Sequence, residues 1–241
     1  SCLSIVIIVV CLCVGRYQIN VSDLISVFNH NDVNNATSYN ILIHIRIPRV
    51  LLAYLIGVAL SVSGAAYQSL FHNKLVSPGV LGVDAGACVG AGICILLGVN
   101  VVGRTAIAFL CGTIAACLAL VIQRFSKNKS AFVLVLAGIV VSAFMNAIIG
   151  IIKYIADGEN KLASITFWML GSIVNAEMEQ VYFLLPFVVV CTFILLAMSW
   201  RLNAMSLGEK EALSVGVSYR KERLLIICAS TLITSVAVSI S

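Results

Sequence analysis

Few residues in this sequence have side chains suited to chemistry, and they are spread along it. Two arginines stand three apart in Ile45-Arg46-Ile47-Pro48-Arg49, directly before a long apolar run. A guanidinium fork binds a carboxylate bidentately, so the pair can receive acidic side chains of a partner. Long basic side chains at the edge of an apolar run also snorkel to a polar surface, which is the plainer reading. One acid lies within an apolar run, in Gly82-Val83-Asp84-Ala85-Gly86. Asp84 either lines a pathway or sits at a helix start, where the dipole favours an anion; the second is preferred. The nine cysteines form no C-x-x-C pair and none stands beside a histidine, so they read as small buried hydrophobes. His30, His44 and His72 are too scattered for a metal site. Neither G-x-x-x-x-G-K-[ST] nor H-E-x-x-H occurs. No catalytic constellation, cofactor or metal site is indicated.

The elements that must position these residues are apolar. Hydrophobic residues make up 61% of the 241 and charged residues 10%, against about a quarter charged in an ordinary soluble domain. A core of this size cannot hide so much apolar surface, so lipid must cover part of it. Crossing the hydrocarbon takes about twenty apolar residues. Seven runs reach or approach that length, at about 2–14, 50–71, 80–99, 101–122, 131–152, 181–200 and 224–241. They are continuous rather than alternating, which indicates helices and not barrel strands. The first and last are read as spans cut short at the chain ends. Many runs are rich in Gly, Ala and Ser, which lets helix backbones approach closely. The expected fold is therefore all-α, a single polytopic transmembrane bundle over 1–241.

Basic residues set the orientation. The loops after spans two, four and six hold nine Lys and Arg, and the loops after spans one, three and five hold six. That places the even loops and the N-terminus in the cytoplasm. Arg46 and Arg49 on the outer side run against the rule and call for a reason. In the fifth loop, about 162–171 is apolar yet too short to span, so it reads as a re-entrant helix. Trp168, within it, belongs near the outer interface or above the pathway. The sixth loop, about 203–223, is polar and contains a short amphipathic stretch. Leu207, Ala212, Leu213 and Val215 can form its apolar side, and Gly208 and Gly216 suit helix ends or close backbone approach.

Four segments occur in a telling order: Arg46-Ile47-Pro48-Arg49; Gln68 through His72-Asn73-Lys74-Leu75 to Pro78-Gly79-Val80-Leu81-Gly82; Phe167-Trp168-Met169-Leu170-Gly171-Ser172; and Leu207-Gly208-Glu209 through Ala212 to Gly216. From about residue 15 to 241 this resembles the FecCD family, the membrane permeases of ABC importers for iron(III)-siderophores, haem and cobalamin. The resemblance implies ten spans in the intact permease, of which about seven are present. It implies two copies or paired paralogues around a shared pathway in the bacterial inner membrane. The partners implied are a substrate-binding protein outside and an ATPase subunit inside, which carries the hydrolysis. Arg46 and Arg49 would receive the binding protein's carboxylates. Asn73 and Leu75, with Ala131 and Phe132 before span five, would form cytoplasmic constrictions. Leu207, Gly208, Glu209, Ala212 and Gly216 would belong to the coupling helix seated in the ATPase. Lys74 departs from the family's usual proline. Iron-siderophore is the expected cargo.

Overall fold

The structure is a computed structural model that describes residues 2–15, 36–126, 131–156, 160–174, 176–216 and 218–241. The regular structure of these residues is all helical. The helices are α1 (Cys2–Cys13), α2 (Ala36–Ile41), a π-helical segment (Leu42–Arg46), α3 (Ile47–Phe71), α4 (Val83–Leu97), α5 (Val101–Phe125), α6 (Ala131–Ile155), α7 (Lys161–Leu170), α8 (Met178–Ala197), α9 (Ser199–Met205), α10 (Glu209–Ser214) and α11 (Tyr219–Ile240). Each of the seven expected apolar runs contains a helix. Five helical stretches are long and apolar enough to cross a membrane: Tyr39–Phe71, Val101–Phe125, Phe132–Ile155, Met178–Ala197 and Lys221–Ile240. Helices α1 and α4 are shorter, at 12 and 15 residues. Arg16, Lys127, Lys129, Ser130 and the turn Asp157-Gly158-Glu159 lie outside the described residues.

By residue type Pro48 suits the first turn of the second span and about 15–47 reads as a polar outer loop, but the structure differs. Pro48 does not open a helix, because helical backbone precedes it from Ala36 onward. A proline inside a helix lacks one N–H, and its ring collides with the carbonyl four residues earlier. The turn before Pro48 is widened instead: Ile47 N–H bonds the Leu42 carbonyl, five residues back. A π turn of this kind takes in one extra residue and loosens the carbonyl crowding at the proline.

The chain divides into two compact units, Ser1–Leu55 with Ile173–Leu184, and Ile56–Ser172 with Leu185–Ser241. In the second unit, helices α4 and α5 are joined by a tight turn. Gly98 adopts a left-handed conformation and ends α4, and the Asn100 side chain accepts the Gly103 N–H at 3.0 Å to begin α5. The antiparallel pair meets at glycines. A methyl group on Gly86 would lie 2.7 Å from the Cys111 carbonyl oxygen, and one on Gly90 would lie 2.8 Å from that of Ile107. Gly138 of α6 makes a similar close approach to the Val80 carbonyl. Within lipid, where helix association depends on packing, such contacts are what hold the helices together.

Helix α11 carries a buried polar row, Ser230, Thr231, Thr234, Ser235 and Ser239. Thr231 shares a 2.7 Å hydrogen bond with Tyr67, itself fully buried. Ser235 donates to the Phe109 carbonyl at 3.0 Å and lies 3.1 Å from the Thr113 hydroxyl. Thr234 and Ser239 bond carbonyls of their own helix. These bonds link α11 to α3 and α5 without any charged side chain.

The close approaches separate glycines that must stay from those that can change. Gly90→Ala should lower stability by about 1–3 kcal/mol, because the added carbon meets backbone that cannot move aside. Gly57→Ala, where nothing lies within 4 Å, should leave stability within about 0.5 kcal/mol. Thermal unfolding of the two purified variants in one detergent is the comparison.

Candidate functional site

The two arginines have different environments. Arg46, the last residue of the π segment, is only 9% exposed. Its Nη1 donates to the carbonyls of Leu12 and Cys13, at 2.5 and 3.1 Å. These carbonyls end α1 and have no acceptor role within that helix, so the guanidinium caps a negative helix terminus. Gly15 leaves room for it, since a methyl group there would lie 2.7 Å from Nη2. Arg49 is half-buried and donates through Nη2 to the Val174 carbonyl at 2.6 Å. Its Nε is buried without a hydrogen-bond partner. Arg46 therefore faces its own chain, and Arg49 is the one with donor capacity left over.

Beyond Phe71 the backbone turns sharply. His72 has φ 52°, and the Asn73 N–H reaches back to the Gln68 carbonyl at 3.2 Å. The Asn73 side chain then accepts the Leu75 N–H at 2.9 Å, an Asx turn. Val76 N–H bonds the Asn73 carbonyl at 3.3 Å, and its side chain is buried. This arrangement leaves Leu75 projecting, 91% exposed. Lys74 is exposed as well, and the turn closes with it in place. Phe132, at the start of α6, is also largely exposed, while the Ala131 side chain lies outside the described ones. Among the described residues no hydrogen bond joins these two segments.

The sixth loop folds into α9 and α10. Gly208 precedes α10 with φ 125°, and Gly216 follows it with φ 81°. Both values lie where a side chain would be strained, so glycine is needed at each end. Leu207, Leu213 and Val215 are exposed. Ala212 departs from the sequence reading: it is fully buried and packs with Leu202 and Met205 of the same chain. Its small side chain lets α10 lie close to the core and leaves the other three outward. The Glu209 side chain lies outside the described ones. Arg201 pairs with Glu222 at 2.9 Å and links α9 to the start of α11.

Asp84 is the second residue of α4, and its carboxylate lies against the backbone of Gly79. That first-turn position fits a charge facing a helix N-terminus, although the cap residue itself is Gly82. Trp168 is half-buried against Ala87, Ala91 and Ala108, covering the close seam between α4 and α5. Lys161, which the sequence reading did not single out, donates to the Leu96 carbonyl at 3.0 Å. Only a contact 65 residues apart reveals that role. Among the described residues no three His, Cys, Asp or Glu side chains gather as metal ligands.

Long apolar helices, glycine seams and polar turns between them define a polytopic helical membrane protein. The sequence profile of the FecCD transport family matches residues 3–241, and the chain belongs to that family. It is 33% identical over 245 residues to the molybdate import system permease protein MolB of Haemophilus influenzae, covering 99% of this chain and 72% of that protein. It is 30% identical over 217 residues to the hemin transport system permease protein HmuU of Yersinia pestis, covering 88% of this chain and 64% of that one. The chain thus spans about two thirds of the length of such relatives. Among solved structures, a metal-chelate type ABC transporter in an inward-facing conformation matches with a TM-score of 0.88 and 32% identity, covering 100% of this chain and 73% of that one.

The capping role of Arg46 is open to a direct check. Arg46→Leu should speed amide exchange in the last turn of α1 by about tenfold or more, because a charge-assisted bond worth about 1.5–3 kcal/mol is lost. Arg49→Leu should leave that turn unchanged. Hydrogen–deuterium exchange followed by mass spectrometry resolves the two.

Proposed function

We propose that the chain is the membrane-spanning part of a binding-protein-dependent ABC importer, with iron(III)-siderophore complexes as cargo. The observation that carries this reading is the FecCD match across residues 3–241, together with relatives named as permeases for hemin and molybdate. Two permease copies enclose a shared pathway, and a separate ATPase subunit supplies the driving force. The cargo crosses without covalent change. The protein lies in the bacterial inner membrane with its N-terminus and even loops in the cytoplasm, in line with the bias of basic residues.

In this scheme the outward leucines and valine around α10 seat in the ATPase, held at the angle that Gly208 and Gly216 permit. Leu75 closes the cytoplasmic end: an apolar side chain there excludes water, and the Asn73 turn fixes its direction. Arg49 receives a carboxylate of the binding protein. Arg46 holds α1 in place behind it, so the two arginines of the motif serve one surface in different ways.

A second reading of the cargo rests on the relative from Haemophilus influenzae, which is named for molybdate and covers 99% of this chain. The full-length permease, reconstituted in liposomes with its ATPase and binding protein, separates the two. ATP-dependent uptake of radiolabelled ferric siderophore, unaffected by excess molybdate, is the expected result. Uptake of molybdate in its place would move the cargo to an oxyanion. Uptake of neither chelate nor oxyanion, with no ATP dependence, would sink the importer reading. In the same liposomes Arg49→Glu should abolish stimulation of ATP hydrolysis by the binding protein. Truncating one partner of an interfacial charge pair typically costs about 2–5 kcal/mol, and reversal adds repulsion.

A further inference from the structure

The turn after α3 holds a contact that the transport reading leaves unused. His72 is the only residue other than glycine with positive φ among the described residues. A left-handed backbone costs a side-chain-bearing residue about 1–2 kcal/mol, and it persists where surrounding contacts hold it. Here the imidazole Nε2 lies 3.1 Å from the carbonyl oxygen of Met205, the last residue of α9. A carbonyl only accepts, so the ring carries a proton on Nε2.

The same carbonyl accepts the Gly208 N–H at 3.2 Å, one residue before α10 begins. One oxygen thus joins the turn after the second span to the entry of α10. Apolar packing follows the same line. Phe71 and Val76, on either side of His72, belong to one buried cluster with Leu202, Met205 and Ala212. The stretch from His72 to Leu75 is stiff, because Asn73 is bonded back to Gln68 and forward to Leu75.

We propose that His72 is a positioning residue that ties the segment 72–78 to the α9–α10 elbow, so that displacement of α10 moves Leu75. This rests on the transport reading, in which α10 is where the ATPase pushes and Leu75 is where the pathway closes. A close-packed cluster transmits displacement, and the histidine bond gives that displacement a direction. Without it, α10 can move while the turn relaxes on its own.

The test uses the full-length permease assembled with its ATPase subunits in liposomes. Leu75→Cys places a thiol at the exposed tip, and its rate of modification by a membrane-impermeant maleimide is read with and without ATP and vanadate. The parent protein supplies the background from native cysteines. In Leu75→Cys alone the rate should depend on nucleotide. Adding His72→Gly, which keeps the left-handed turn but removes the ring, should bring the ratio of the two rates to about one, because no coupling remains. Adding His72→Asn should do the same, since asparagine tolerates this backbone but is too short to reach Met205. His72→Gln, whose amide can reach the carbonyl, should restore part of the dependence. Should the glycine variant fail to assemble, the asparagine variant carries the comparison. Full nucleotide dependence in the variants lacking the bond would overturn the tie and leave the transport reading standing. No nucleotide dependence in Leu75→Cys itself would overturn both.

Discussion

A backbone carbonyl at a helix end has no partner within its own helix, and in apolar surroundings each one left bare costs several kcal/mol. Much of the placement of polar side chains in this protein follows from that constraint. Arg46 answers the carbonyls that end α1, Lys161 answers one near the end of α4, and His72 answers the last carbonyl of α9. Arg49 does the same for Val174, in the turn before α8. Three of these four side chains carry a fixed positive charge, and Arg46 and Lys161 meet negative helix ends, so dipole and hydrogen bond act together. These three cations are therefore structural first. Function has to be built from the donor capacity that remains.

A second consequence of the apolar surroundings is that the helices are held by shape. The glycines of α4 bring its backbone against the carbonyls of α5, and Gly138 brings α6 against the turn that precedes α4. Hydroxyl groups of α11 then reach across to Phe109, Thr113 and Tyr67. Neutral groups carry these links because a charge in the same place would have to be desolvated as well as paired. Segments so joined move as rigid pieces.

The sequence was informative where composition and motif spacing decide the outcome. Long apolar runs became helices, the glycine-rich stretches became seams, and the ordered motifs pointed to the family that the profile match supports. It was uninformative where a distant contact decides. The stretch about 15–47 is rich in Asn, Ser and Asp and read as a loop, yet helical backbone runs from Ala36 into α3. Local propensity is a weak prior that tertiary context overrides. Pro48 suits a first helical turn by type, and nothing in the sequence announces the wider turn before it. Ala212 read as part of an outward apolar side, and only the packing of α10 on Met205 shows it facing inward. The partners of Arg46 and Lys161 lie 33 to 65 residues away and leave no local signature.

The widened turn at Leu42–Arg46 also changes how the second span is to be drawn. An α-helix advances by about 100° per residue, so one extra residue in a turn shifts the angular phase of everything before it by about that amount. A helical wheel wound back from Phe71 without this slip assigns Tyr39 and its neighbours to the wrong azimuth. Removing any one residue between 42 and 46 can restore a regular helix, but only by swinging the preceding turns through a quarter of a revolution. The span is two screws of one thread, joined out of phase.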